Sequence, residues 1–236
     1  MSTTLRQIEQ ANRTLRRRWN RPHPGFGSGN DLRTSDAGLL QSLYGNMERA
    51  SHFQWLNGGR TLIDKTYLAM LCAALELDAP WIGFDKVAAN LDNFIREELA
   101  PCWSELDELE HEARHELSIN LVEKACETLF GSQKNAVFAS QLLLFLCPQL
   151  PIFAVTGQQQ SEHFSYREYH QQCRNQMALN LPLLASQPLP KLLPSTANLG
   201  ALLTRTDWWV RRLQTQLQQQ AFNNLEDSRP EQQRSA

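Results

Sequence analysis

The chain has 236 residues, 42% hydrophobic and 20% charged, with a formal net charge of −2. That balance excludes a disordered or fibrous protein and allows one large globular domain or two small ones. No apolar run reaches the roughly 18 residues that span a bilayer, and the opening "MSTTLRQIEQ" has no signal-peptide core, so a cytoplasmic protein with no membrane partner is expected.

In chain order, residues 5–21 are a predicted helix, with Leu5, Ile8, Leu15 and Trp19 along one stripe. It stops at Pro22, and the Pro- and Gly-rich stretch 22–31 is a predicted loop. Ser35 or Asp36 can cap a helix running to residue 53, which "NGG" at 57–59 breaks. Residues 61–77 are apolar on most faces and are expected to be central. A helix over 84–103 has Val87, Leu91, Phe94, Ile95 and Leu99 as its stripe. The next spans 104–131, with Ser104 and Asp107 as a capping pair and Gly131 as its stop. The most apolar helix covers 135–148. Helical stretches follow at 165–181 and 199–222, separated by a crossing loop over 182–198 that holds four prolines. There is no repeat and almost no period-2 alternation. The expected fold class is all-α, with about eight helices: a basic N-terminal arm and loop at 1–35, a helical domain at 36–222 and a disordered tail at 223–236.

Five cysteines occur, Cys72, Cys102, Cys126, Cys147 and Cys173, with no C-x-x-C pair. Reduced, mostly buried thiols are expected rather than a zinc cluster.

"LEHEARHEL" sets His111, Glu112 and His115 in the spacing H-E-x-x-H. On a helix this places two imidazoles one turn apart with a carboxylate between them, as in zinc peptidases. The flanks here are Glu110, Arg114 and Glu116, and the window 105–116 is strongly acidic. Leu106, Leu109, Ala113 and Leu117 form the expected buried stripe, which leaves both histidines toward solvent or the edge of the packing. A third ligand is not specified; Glu162 and His163 are the later candidates. The favoured reading is a solvated acidic helix with no bound metal, and a zinc hydrolase is an alternative.

Residues 1–35 carry Arg6, Arg13, Arg16, Arg17, Arg18, Arg21 and Arg33. Arg13, Arg16, Arg17 and Arg21 recur at helical spacing, and guanidinium forks suit phosphate oxygens. Phe26, in the Gly-rich loop, is placed to stack on a base. A nucleic-acid partner, DNA in the first instance, is one expectation. The other is a cationic helix that pairs with the acidic 105–116 face of the same chain.

"NAVFASQLLLFLCPQLPIFAVT", 135–156, resembles a segment of bacterial proteins similar to 8-oxoguanine DNA glycosylases, which are related to the helix-hairpin-helix glycosylases. The matches are Ala139, Ser140, Leu142, Leu143, Phe145, Leu146, Pro148, Pro151 and Ile152. "FSYREYHQQCRNQM" and "LLTRTDWWVRRLQ" look like the family's later helices, so the resemblance covers roughly 130–215. The family places a nucleophilic Lys after Ala-Ser and an assisting Asp after the proline turn. This chain has Gln141 and Ala154 there. An amide forms no Schiff base, and a methyl group stabilises no developing positive charge. The resemblance therefore implies a catalytically degenerate scaffold that binds nucleic acid without base excision and without a cofactor. Lys134 is the one residue through which an intact glycosylase is conceivable. A different class also fits: a helical interaction or regulatory subunit meeting a protein partner through the acidic 105–116 face and the Gln-rich 213–220 stretch.

Overall fold

The computed structural model of the chain describes residues 4–19, 21, 35–52, 63–74, 83–130, 135–156, 164–190, 201–203 and 206–227. Its helices are α1 (Leu5–Trp19), α2 (Asp36–His52), α3 (Lys65–Ala74), α4 (Phe84–Phe94), α5 (His111–Phe130), α6 (Ala136–Leu146), α7 (Tyr166–Ala185) and α8 (Trp208–Asp227). Among the described residues there is no strand, and no helix is long and apolar enough to cross a membrane. The expected all-α class is therefore the observed one.

α6 is the centre. Nine of its eleven residues are buried, because α2 and α5 pack against it. α4 lies on α5, α7 on α5 and α8, and α1 on α8. The first and last helices thus close the molecule on each other. α1 begins at a reciprocal cap: the Gln7 backbone N–H donates to Thr4 Oγ1 at 3.4 Å, and the Thr4 N–H donates to Gln7 Oε1 at 2.8 Å. It buries Ile8, Ala11, Asn12, Leu15 and Trp19, whereas Leu5, expected in that stripe, is 48% exposed at the first helical position. Trp19 meets Trp208 and Trp209 of α8 edge-to-face, with ring centroids 5.7 and 5.6 Å apart. Asn12 accepts from Trp209 Nε1 at 3.1 Å and donates to Pro188 O at 3.2 Å.

Five element boundaries differ from expectation. The helix expected over 84–103 is α-helical only to Phe94. It passes into a π segment, Ile95–Leu99, and a 3₁₀ segment, Ala100–Glu105, because Pro101 has no N–H to continue the ladder. The Ser104–Asp107 cap is not used, and α5 starts instead at His111, with the Arg114 N–H on Glu110 O. α7 runs through Pro182 to Ala185, its last turn anchored by buried Leu184. The expected 199–222 helix is interrupted, since Asp207 takes a left-handed φ of 52° and α8 begins only at Trp208. α8 then continues to Asp227, past the expected end at 222.

Ser35 is the α2 cap, accepting from the Gly38 N–H at 3.2 Å. Asp36 instead takes Arg212 Nη2 at 3.1 Å, both side chains being buried, and the Arg212 guanidinium lies 5.0 Å from the Phe145 ring centre. Cys72, Cys126, Cys147 and Cys173 are buried, Cys102 is half-buried, and all five are free thiols.

Candidate functional site

After α6 the chain makes a turn at 148–150 and runs without helix or strand to 156, a strap (147–156) that is almost wholly buried. A buried backbone without a helix or sheet must find its hydrogen bonds elsewhere. One internal contact is a tight turn about Pro151, with the Ile152 N–H on Leu150 O at 2.8 Å. A second is the Leu150 N–H on Cys147 O at 3.0 Å, and the Cys147 N–H donates back to Leu143 O of α6 at 2.8 Å. Side chains from four helices add further bonds. From α7, Tyr166 donates to Phe153 O at 2.9 Å and accepts from the Phe153 N–H at 3.2 Å, and Tyr169 donates to Ala154 O at 2.7 Å. From α6, Ser140 Oγ accepts from the Val155 N–H at 2.9 Å, and Gln141 Nε2 donates to Val155 O at 3.4 Å. Arg211 of α8 donates to Pro148 O at 2.9 Å, and Arg114 of α5 donates to Gln149 O.

The strap holds the positions on which the glycosylase resemblance turns. Gln141 lies against the residue following Ala154, so the two come together in space. Their surroundings here are structural: Ala154 is fully buried with its carbonyl taken by Tyr169, and the Gln141 amide is half-buried along the strap. Lys134 and Phe26 lie outside the described residues, as do Glu162 and His163.

The H-E-x-x-H stretch sits beside the strap, and one histidine corrects the sequence reading. His111 is exposed as expected, but His115 is buried, with 5% of its surface accessible. The reason is phase. α5 starts at His111, and its buried stripe runs His115, Ser118, Ile119, Val122, Ala125, Cys126 and Leu129, so Ala113 faces out. His115 Nδ1 lies 3.4 Å from His170 Nε2 of α7, and His170 Nε2 lies 3.0 Å from Pro151 O. Both contacts attract when His170 carries its proton on Nε2 and His115 carries its own on the far nitrogen. This tautomer pair follows from the acceptor at Pro151. Burial is the main cause that pulls His115 down to about 3 and His170 to about 4. Arg174 lowers both further, and Arg211 adds to the effect at His170.

Glu112 and Glu116 are engaged as well. Glu112 takes a two-pronged contact from Arg174, at 2.9 and 2.5 Å, which is the main cause that holds its carboxyl down to about 2. Glu116 takes Arg167 at 2.8 and 2.9 Å. The order 112 to 174, 115 to 170 and 116 to 167 pairs α5 and α7 antiparallel. In this chain the motif stitches two helices together. His111, His115 and His170 do form a row, with ring centroids 4.6 and 5.1 Å apart. Yet Glu112 is committed to a guanidinium, and among the described residues no three His, Cys, Asp or Glu side chains are arranged to hold a metal ion.

His170 escaped the sequence reading, although "YREYHQQC" carries a signal for it. Tyr166, Tyr169, His170 and Cys173 fall at i, i+3, i+4 and i+7, the pattern of a buried face.

The arginines of α1, with Arg21 two residues past its end, form a separate surface. Arg6, Arg13, Arg16, Arg17 and Arg21 are exposed, and among the described residues none of them makes an ion pair. Arg18 is half-buried and engaged in further interactions. No known family matches the chain, and no curated protein or solved structure matches it either.

Proposed function

We propose that this protein binds nucleic acid through the arginine face of α1 and performs no base excision. The observation that carries the reading is the division of α1 into two faces. Ile8, Ala11, Leu15 and Trp19 anchor one face on α8, while Arg13, Arg16 and Arg17, with Arg21 just past the helix end, stand exposed and without an ion pair among the described residues. A row of cations without carboxylate partners on a rigidly held helix is suited to successive phosphates. The absence of turnover follows from Gln141 and Ala154, neither of which can act as a nucleophile or a charged acid, and the strap geometry gives both a packing role. The glycosylase-like scaffold is part of the proposal and rests on the resemblance alone. A cytoplasmic location accords with five free thiols.

A gel-shift series with a labelled duplex tests the reading. The parent is expected to shift it, and Arg13→Ala/Arg16→Ala/Arg17→Ala is expected not to at the same concentration. On duplexes carrying oxidised bases, borohydride is expected to trap no covalent adduct; an adduct lost in Lys134→Ala would overturn the catalytic half of the proposal.

A specific observation also favours the protein-partner reading. Leu179, Leu181 and Leu183 of α7, and Leu189 four residues past its end, are exposed by 83, 39, 38 and 45%. Four leucines so placed suit an apolar partner. The acidic helix is less available for that role, because Glu112 and Glu116 already hold arginines. Absence of any duplex shift, with oligomerisation or specific cross-linking lost on Leu179→Ser/Leu183→Ser, would put this reading first.

A further inference from the structure

We infer that the interior beside the strap is a binding site for a small oxyanion, of phosphate, sulfate or carboxylate chemistry, held between Arg114 and Arg211. Arg211 is 2% exposed. Its two terminal nitrogens donate to Thr206 O at 2.8 Å and Pro148 O at 2.9 Å, and its Nε has no partner. Arg114 donates to the next carbonyl along the strap, Gln149 O, and its buried Nε is also without a partner. The two guanidiniums therefore converge on consecutive carbonyls, each with a buried Nε that has no partner. Among the described residues neither makes an ion pair; Asp207 attracts Arg211 only at longer range. The buried Thr206 hydroxyl, also without a partner, adds a neutral donor.

Buried charges in folded proteins are ordinarily paired, because carbonyl dipoles satisfy hydrogen bonds without cancelling the charge. Elsewhere in the described interior the buried Arg212 follows that rule, paired with the buried Asp36. Arg114 and Arg211 are the departures. Water could satisfy the two Nε donors, yet it would leave the charges of the buried Arg211 and the half-buried Arg114 uncompensated. An oxyanion accepts from both donors and supplies the missing charge. Arg114 is half-buried, which gives a small ion an edge from which to enter. The site is independent of the α1 surface.

The test is calorimetric titration of the full chain with inorganic phosphate, and separately with sulfate, at constant ionic strength, beside a thermal-melt series. One saturable site is expected in the parent. Arg114→Gln should weaken it at least tenfold, and Arg114→Lys, which keeps the charge but loses Nε and the fork, should weaken it severalfold and stands in if the Gln variant does not fold. Arg13→Ala/Arg16→Ala/Arg17→Ala should leave it unchanged. A melt shift that rises linearly without saturating, or a saturable site indifferent to Arg114 or lost with the α1 arginines, would overturn the inference.

Discussion

Tyr166 shows how one side chain substitutes for secondary structure. Its hydroxyl both accepts from the Phe153 N–H and donates to Phe153 O, the two bonds a strand neighbour would otherwise make. Removing it leaves both groups buried and unpaired, so Tyr166→Phe is expected to cost about 1–3 kcal/mol, read as a lower urea midpoint. No change in midpoint would mean that the strap finds other partners. The His115–His170 contact sets a pH dependence with a definite sign. Both histidines are held below the ordinary 6.5, near 3 and 4, so the unfolded chain binds protons first on acidification. Their contribution to stability is complete above pH 6.5 and is lost as pH falls toward 4 and then 3. The fall of Glu112 to about 2 has the same sign but acts in a lower window, below its ordinary 4.5. In His115→Gln, which stays neutral throughout, the loss of stability between pH 6.5 and 4 should be shallower than in the parent. Equal slopes would place the proton uptake elsewhere.

Among the elements, α1 is held by one apolar face. Trp19, its largest buried side chain, packs against two tryptophans of α8 beside buried Ile8, Ala11 and Leu15. Trp19→Ala is expected to destabilise by about 3–5 kcal/mol, seen in chemical denaturation. A much smaller loss would mean that α1 is only loosely attached. Helix existence and type were legible in the sequence where the apolar periodicity is strong, in α1 and α4, and where a run is apolar on nearly every face, in α6. Phase was not legible for α5. A stripe extended back through Leu106 and Leu109 assumes a continuous helix, and the 3₁₀ turn after Pro101 shifts the register, which brings His115 inside. Read backward from Cys126 and Val122, the stripe would have included it. Thr4 with Gln7 was a legible cap for α1. The partners of the strap were not legible, since Arg114, Tyr166 and Arg211 reach it from helices distant in sequence.

At the scale of the molecule, the polar groups sort into two systems. One joins the strap, α5 and α7 through the buried His115–His170 contact and the Arg174–Glu112 pair at its rim. The other is external, the outward arginines of α1. The proposed function places nucleic acid on the second and leaves the first to stability, so the two can be varied separately. The decisive measurement is fluorescence anisotropy of one labelled duplex at several salt concentrations, with the parent and with Arg13→Ala/Arg16→Ala/Arg17→Ala. Each phosphate neutralised contributes a slope of about −0.9 in log affinity against log salt. The account predicts that the triple variant binds more weakly on every sequence and that its slope is flatter by up to roughly 2–3 units, with an unchanged urea midpoint. A variant that binds as tightly as the parent, with the same slope, would contradict it.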